Sequence, residues 1–155
     1  MRLTVACVGK PSGYAKAGVD DYLARIARYA PVQLKIVRAE PDADRAPAVA
    51  ARREGERLCA VLPEGAQWVA LHPAGKTLDS MAFAKWLGQR QDGGVRDVAF
   101  VVGGPVGHGE TLLKDAALKL SLSPMTLPHE LALLVLCEQL YRAYTILRGE
   151  RYHKE

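Results

Sequence analysis

The chain has 155 residues, 49% of them hydrophobic and 25% charged, the composition of one globular domain able to bury its own core. Twenty-one Lys and Arg against 17 Asp and Glu leave a net charge of +4, which permits an anionic partner without demanding one. Three widely spaced cysteines with no CxxC pair exclude a disulfide framework and a zinc ribbon.

In chain order, RLTVACV (2–8) is apolar on both faces, as a strand covered on two sides is. Residues 14–28 switch to helical period, with Val19, Tyr22, Leu23 and Ile26 on one side. VQLKIV (32–37) alternates Val32, Leu34 and Ile36 with Gln33 and Lys35, a strand with one wetter face. The acidic, proline-bearing EPDADRAP (40–47) is a loop. A second helix runs to about Leu62, with Ala51, Leu58, Cys59 and Leu62 on its apolar side. Arg45, Arg52, Arg53, Glu56 and Arg57 make its other side the most basic face of the chain.

QWVALH (67–72) reads as the third strand, ending in PAGK, and a third helix covers about 79–91 with Phe83, Trp86 and Leu87 at helical spacing. DVAFVV (97–102) is the fourth strand, a short helix spans about 110–117, and LKLSLS (118–123) is the fifth strand. PMTLPHE then opens a long apolar helix over about 129–147. Strand and helix alternate throughout, so the fold class is α/β: a single domain over 1–155 with a parallel sheet and helices on both faces. Cys7, Cys59 and Cys137 each fall in an apolar stretch and read as reduced, buried thiols. No apolar run approaches the ~18 residues of a membrane span, and the opening apolar run is too short for a secretory signal. The expected location is the cytoplasm.

The fourth strand feeds GGPVGHG (103–109), four glycines and a proline in seven positions. This is not a dinucleotide fingerprint, which belongs after the first strand, where this chain has VGKPSGY. Nor is it a P-loop, since no Lys-Ser or Lys-Thr follows the glycines. Glycines at a strand's carboxyl end let backbone groups approach a ligand, and that edge is where open α/β sheets bind ligands. LHPAGK, GGPVGHG and SLSPMTLP end three strands, and they converge on one pocket if those strands are neighbours. HEL at 129–131 is not a zincin motif, and the four histidines lack metal-ligand spacing, so each reads as a hydrogen-bonding loop residue and no metal is expected.

VVGGPVG, then LSLSPMTLPHELALLVLCEQLYRAYTI, then the terminal YHKE resemble the ribosomal RNA large subunit methyltransferase H family, a minimal SPOUT methyltransferase. VACVGK, YLARIARY, REGERL and VALHPAGKTLDS fall where that family has its opening and middle segments, so the resemblance covers essentially the whole chain. It implies a parallel-sheet SPOUT fold with a C-terminal trefoil knot, a homodimer, and S-adenosyl-L-methionine (SAM) bound in a bent shape by the three loops. The implied reaction is methylation of N3 of pseudouridine 1915 in helix 69 of 23S rRNA, on the assembled 70S ribosome. The implied cofactor residues are Leu71, Gly104, Ser123, Pro124, Met125, Thr126, Leu127 and Pro128. Arg142, Tyr152 and His153 match the family's catalytic or substrate-placing residues, with His153 the first candidate for proton acceptor and Arg142 for orienting the uracil carbonyls.

Each of these three also has a plain structural reading. Arg142 stands four residues after Glu138, a helical ion-pair spacing, and Tyr152 and His153 stand at a chain end, where disorder is the default. The chain departs from the family at Val106, where Glu is frequent, and in LRGER before the terminal Tyr-His. LALLVLC (131–137) leaves the last helix apolar nearly all round, more than one small sheet buries, which independently favours a partner subunit. Two alternatives stand beside this reading. One is a non-enzymatic RNA- or ribosome-binding module resting on the basic second helix; the other is a SPOUT methyltransferase acting on another RNA.

Overall fold

The computed structural model describes residues 1–154; Glu155, the last residue of the YHKE motif, lies outside the described residues. Five strands form one parallel sheet: β1 (Arg2–Val8), β2 (Val32–Val37), β3 (Gln67–Thr77), β4 (Asp97–Val102) and β5 (Leu118–Ser121), in the order β2-β1-β4-β3-β5. The helices are α1 (Gly13–Ile26), α2 (Pro47–Val61), α3 (Ser80–Asp92), α4 (Glu110–Lys114) and α5 (His129–Leu147). The α/β expectation with both sheet faces covered is met.

The strand sequences explain the two layers. In β1 and β4, Leu3, Val5, Cys7, Val98, Phe100 and Val102 point to one face, and Ala6, Val8 and Val101 to the other. The first set packs against α1, α3 and α5 through Val19, Ile26, Phe83, Leu87, Leu136 and Leu140. The second packs against α2 and α4 through Leu58 and Leu112. Each fully buried side chain of this size contributes about 1.5–3 kcal/mol. Phe100, completely buried and edge-on to both Phe83 and Trp86, is the hub of the larger cluster.

Three sequence expectations are corrected. The third strand does not stop at His72 but resumes pairing at Lys76, with residues 72–75 looping out between. A β-carbon on Gly75 would lie 2.7 Å from the backbone of Lys119, so the returning segment touches β5 through a residue with no side chain. The fifth strand ends at Ser121 rather than Ser123, because the Ser121 hydroxyl turns to the Ser123 carbonyl at 3.0 Å and opens a turn. Cys59 is exposed, since α2 turns it away from the stripe that carries Leu58; Cys7 and Cys137 are buried as expected.

Candidate functional site

The strands β4, β3 and β5 are adjacent, so the three unusual loops meet at the carboxyl edge of the sheet. Together they enclose a pocket of about 830 Å³. The glycine loop is shaped by a turn in which the Gly107 N–H donates to the Gly104 carbonyl at 3.0 Å. Gly107 has a φ of 79°, the left-handed region that glycine enters without cost. In the last loop the Met125 N–H donates to the Ser123 hydroxyl at 2.9 Å, which bends the chain toward α5.

Of the residues expected to hold a cofactor, Leu71, Gly104, Ser123, Met125, Thr126, Leu127 and Pro128 line this pocket. Pro124 sits in the same loop but is exposed and stands outside the lining, because the turn at Ser123 directs it outward. Val106, the departure from the family pattern, is part of the wall. Among the described residues that line the pocket there is no Lys, Arg, Asp or Glu. With no cation to neutralise a phosphate, the cavity suits a ligand with an apolar or aromatic body and neutral hydrogen-bonding edges.

Three histidines also line it, and they differ. The His72 Nδ1 accepts the Ala74 N–H at 3.1 Å, as a loop histidine does. His129 opens α5. His108 departs from the expectation of a hydrogen-bonded loop residue: both ring nitrogens are buried without a partner. Its ring packs on Gly103, where a β-carbon would meet it at 3.1 Å. Burial pushes the His108 pKa down to about 4, only partly opposed by the backbone of Leu71 and Val101. The ring is therefore neutral near pH 7.

Arg142, Tyr152 and His153 lie elsewhere, gathered around Glu138 on α5. One oxygen of Glu138 accepts from Arg142 Nε at 3.0 Å and from the Tyr152 hydroxyl at 3.0 Å. The guanidinium stacks over the Tyr152 ring at 4.7 Å, and that ring stands edge-on to Tyr141, also at 4.7 Å. Since Tyr152 donates to Glu138, the 3.3 Å contact with Tyr22 has the Tyr22 hydroxyl as donor. Burial, that bond and Glu138 together raise the Tyr152 pKa well above its ordinary value. His153 Nδ1 lies 3.3 Å from Arg142 Nη1; because a guanidinium only donates, Nδ1 is the acceptor and the ring proton sits on Nε2. The helical ion pair thus belongs to the same cluster as Tyr152 and His153, and those two residues are docked rather than frayed.

The basic face of α2 is largely spoken for. Arg53 and Arg57 both bind Glu40, at 2.6 and 2.5 Å, and Arg52 pairs with Glu56 at 3.5 Å. The feature behind the binding-module reading is thereby mostly neutralised. One buried group escaped the sequence reading: Glu54 is only 1% exposed. Its signal was available, since Ala50, Glu54 and Leu58 are four apart and share the buried stripe.

Residues 1–153 match the family model described as predicted SPOUT methyltransferase, and the chain belongs to that family of methyltransferases. Along its length it is similar to ribosomal RNA large subunit methyltransferase H from Gemmatimonas aurantiaca, at 47% identity over 99% of this chain and 100% of that protein. It is similar also to the protein of that name from Thermus thermophilus, at 43% identity over 99% of each. Among solved structures, the SpoU methyltransferase AviRb from Streptomyces viridochromogenes, in complex with AdoMet, matches with a TM-score of 0.47 and 16% identity, covering 97% of this chain and 59% of that one. No helix among the described residues is long and apolar enough to cross a membrane.

Proposed function

We propose that the chain is a SAM-dependent methyltransferase acting on N3 of the helix 69 pseudouridine of 23S rRNA in the assembled 70S ribosome. The observation that carries this reading is the pocket: the loops after β4 and β5, with the excursion within β3, enclose about 830 Å³ with no charged side chain in the wall. That wall fits a purine nucleoside without phosphates, which describes SAM and not a nucleotide. The relatives' name supplies the substrate class.

The cofactor supplies a methyl group already activated on a sulfonium. Leu71, Gly104, Ser123, Met125, Thr126, Leu127 and Pro128 hold it, mainly by backbone groups and apolar contact. The chain's remaining tasks are to align the uracil ring and to take the N3 proton. Arg142, fixed by Glu138, presents donors to the uracil carbonyls and stabilises negative charge developing on them. His153 is the proton acceptor, through the Nδ1 that its neutral tautomer leaves unprotonated once Arg142 turns to the substrate.

The tail serves a partner's pocket. His129 and Arg142 are thirteen residues apart on α5, about 20 Å along its axis. The six residues from Leu147 to His153 cannot stretch back over the ~27 Å length of α5, since they span at most about 20 Å. A homodimer that sets each tail beside the other subunit's pocket resolves this, and Leu131, Leu134 and Val135, only half-buried on α5, supply apolar surface for it. The trefoil knot belongs to the same reading. A cytoplasmic location follows from the ribosomal substrate.

The test is transfer of labelled methyl from SAM to 70S ribosomes lacking the helix 69 methylation, with 50S subunits alongside. Label on the helix 69 pseudouridine, from 70S only, is the expected outcome. Binding of SAM without transfer to either particle would overturn the substrate.

A further inference from the structure

Behind the glycine loop, on the side away from the pocket, lies a carboxylate that the reading above leaves unused. Glu54 projects from α2 into the core and is 1% exposed. Its Oε1 accepts the backbone N–H of Glu40 at 2.9 Å, while Oε2 is buried with no partner. A β-carbon on Gly104 would lie 2.9 Å from that Oε2, so the loop and the carboxylate are in direct contact. The loop's other end presses on the same helix: a β-carbon on Gly109 would meet the Ala51 carbonyl and the Arg52 Cα at 3.1 Å. Glu40, in turn, is clamped outside by Arg53 and Arg57.

A buried carboxylate oxygen without a donor is costly, and neutral or apolar replacements of the same size would avoid that cost. We propose that Glu54 is a positioning residue of the cofactor site. Its Oε2 accepts a backbone N–H of the glycine loop when that loop settles on a bound ligand, while Oε1 anchors the carboxylate to the Glu40 segment. The pocket then has a polar brace at its back, although its front is neutral. This inference rests on the pocket being the SAM site.

The experiment measures SAM affinity by calorimetry and kcat and KM for methyl transfer, in wild type, Glu54→Gln and Glu54→Asp. Gln keeps an acceptor for Glu40 but turns an NH₂ toward Gly104; Asp keeps the charge but draws it back from the loop. Both are expected to weaken SAM binding about tenfold and raise its KM in step, with kcat at saturating SAM within about twofold of wild type. Variants that keep their thermal midpoint and bind SAM as wild type does would overturn the proposal. Should both variants fail to fold, hydrogen exchange on the wild-type protein decides. SAM is expected to protect the Glu40 amide, outside the pocket, together with residues 103–107; protection of the loop alone would overturn it. Wild-type protein that binds no SAM would instead overturn the assignment of the pocket itself.

Discussion

His108 shows how one residue ties the pocket to the solvent's pH. Its ring is buried with both nitrogens unpartnered, and its pKa falls to about 4 from an ordinary 6.5. The folded chain thus holds the neutral form more tightly than the unfolded chain does. Above pH 6.5 both states are neutral and nothing is lost; as pH falls from 6.5 toward 4, only the unfolded state takes the proton and stability declines. The loss reaches about 3 kcal/mol at most by the lower limit. Urea titrations at pH 7 and pH 4.5 are expected to show a larger acid-induced drop in wild type than in His108→Leu. An equal drop in both would mean the ring is not buried in solution. At the other cluster, His153→Ala is expected to slow methyl transfer by roughly 10²-fold or more while SAM affinity by calorimetry stays within about twofold. Loss of SAM binding in that variant would move His153 from the substrate to the cofactor.

The elements were mostly legible in the sequence, and where they were not the reason is physical. Period-2 and period-3.6 patterns located all five strands and five helices, because a parallel sheet covered on both faces needs apolar strands and amphipathic covers. The β3 excursion was not legible: HPAGK carries turn residues, and only the pairing of Lys76 with Leu120 shows that the strand resumes. The composition of the pocket followed from three loops read as glycine- and proline-rich strand ends. Glu54 did not, since a carboxylate on a buried stripe looks like one more charge on an already charged helix. The excursion makes its own prediction. In Gly75→Ala the new β-carbon meets Lys119 backbone, which cannot swing away as a side chain would. A destabilisation of about 1–3 kcal/mol is expected from denaturant midpoints, and an unchanged midpoint would mean the segment does not lie against β5 as described.

At the scale of the whole molecule, the pocket lies at the start of α5, where His129 lines it, and the Arg142–Tyr152–His153 cluster lies about 20 Å further along that helix and beyond its end. The proposed two-fold dimer, with antiparallel α5 helices, would join one subunit's pocket to the other's tail. In the proposed dimer, the second copy would add its own surface to the one on which the RNA is bound. The proposal also accounts for the docking of Tyr152 on Glu138, since a cluster meant to serve a neighbour would have to be held in shape by its own chain.

The most direct measurement is methyl transfer to 70S ribosomes by a mixture of two inactive variants. Gly104→Val collides with Glu54 Oε2 and Val8 behind the glycine loop, so it displaces the loop that lines the pocket and spares the tail; His153→Ala does the reverse. Each is inactive or nearly so alone. After denaturation and refolding together at equal concentration, half of the dimers are mixed and each mixed dimer holds one intact composite site, so about a quarter of wild-type activity is expected to return. A mixture as inactive as its components, with exchange of subunits verified, would contradict the shared site and place the whole reaction within a single chain.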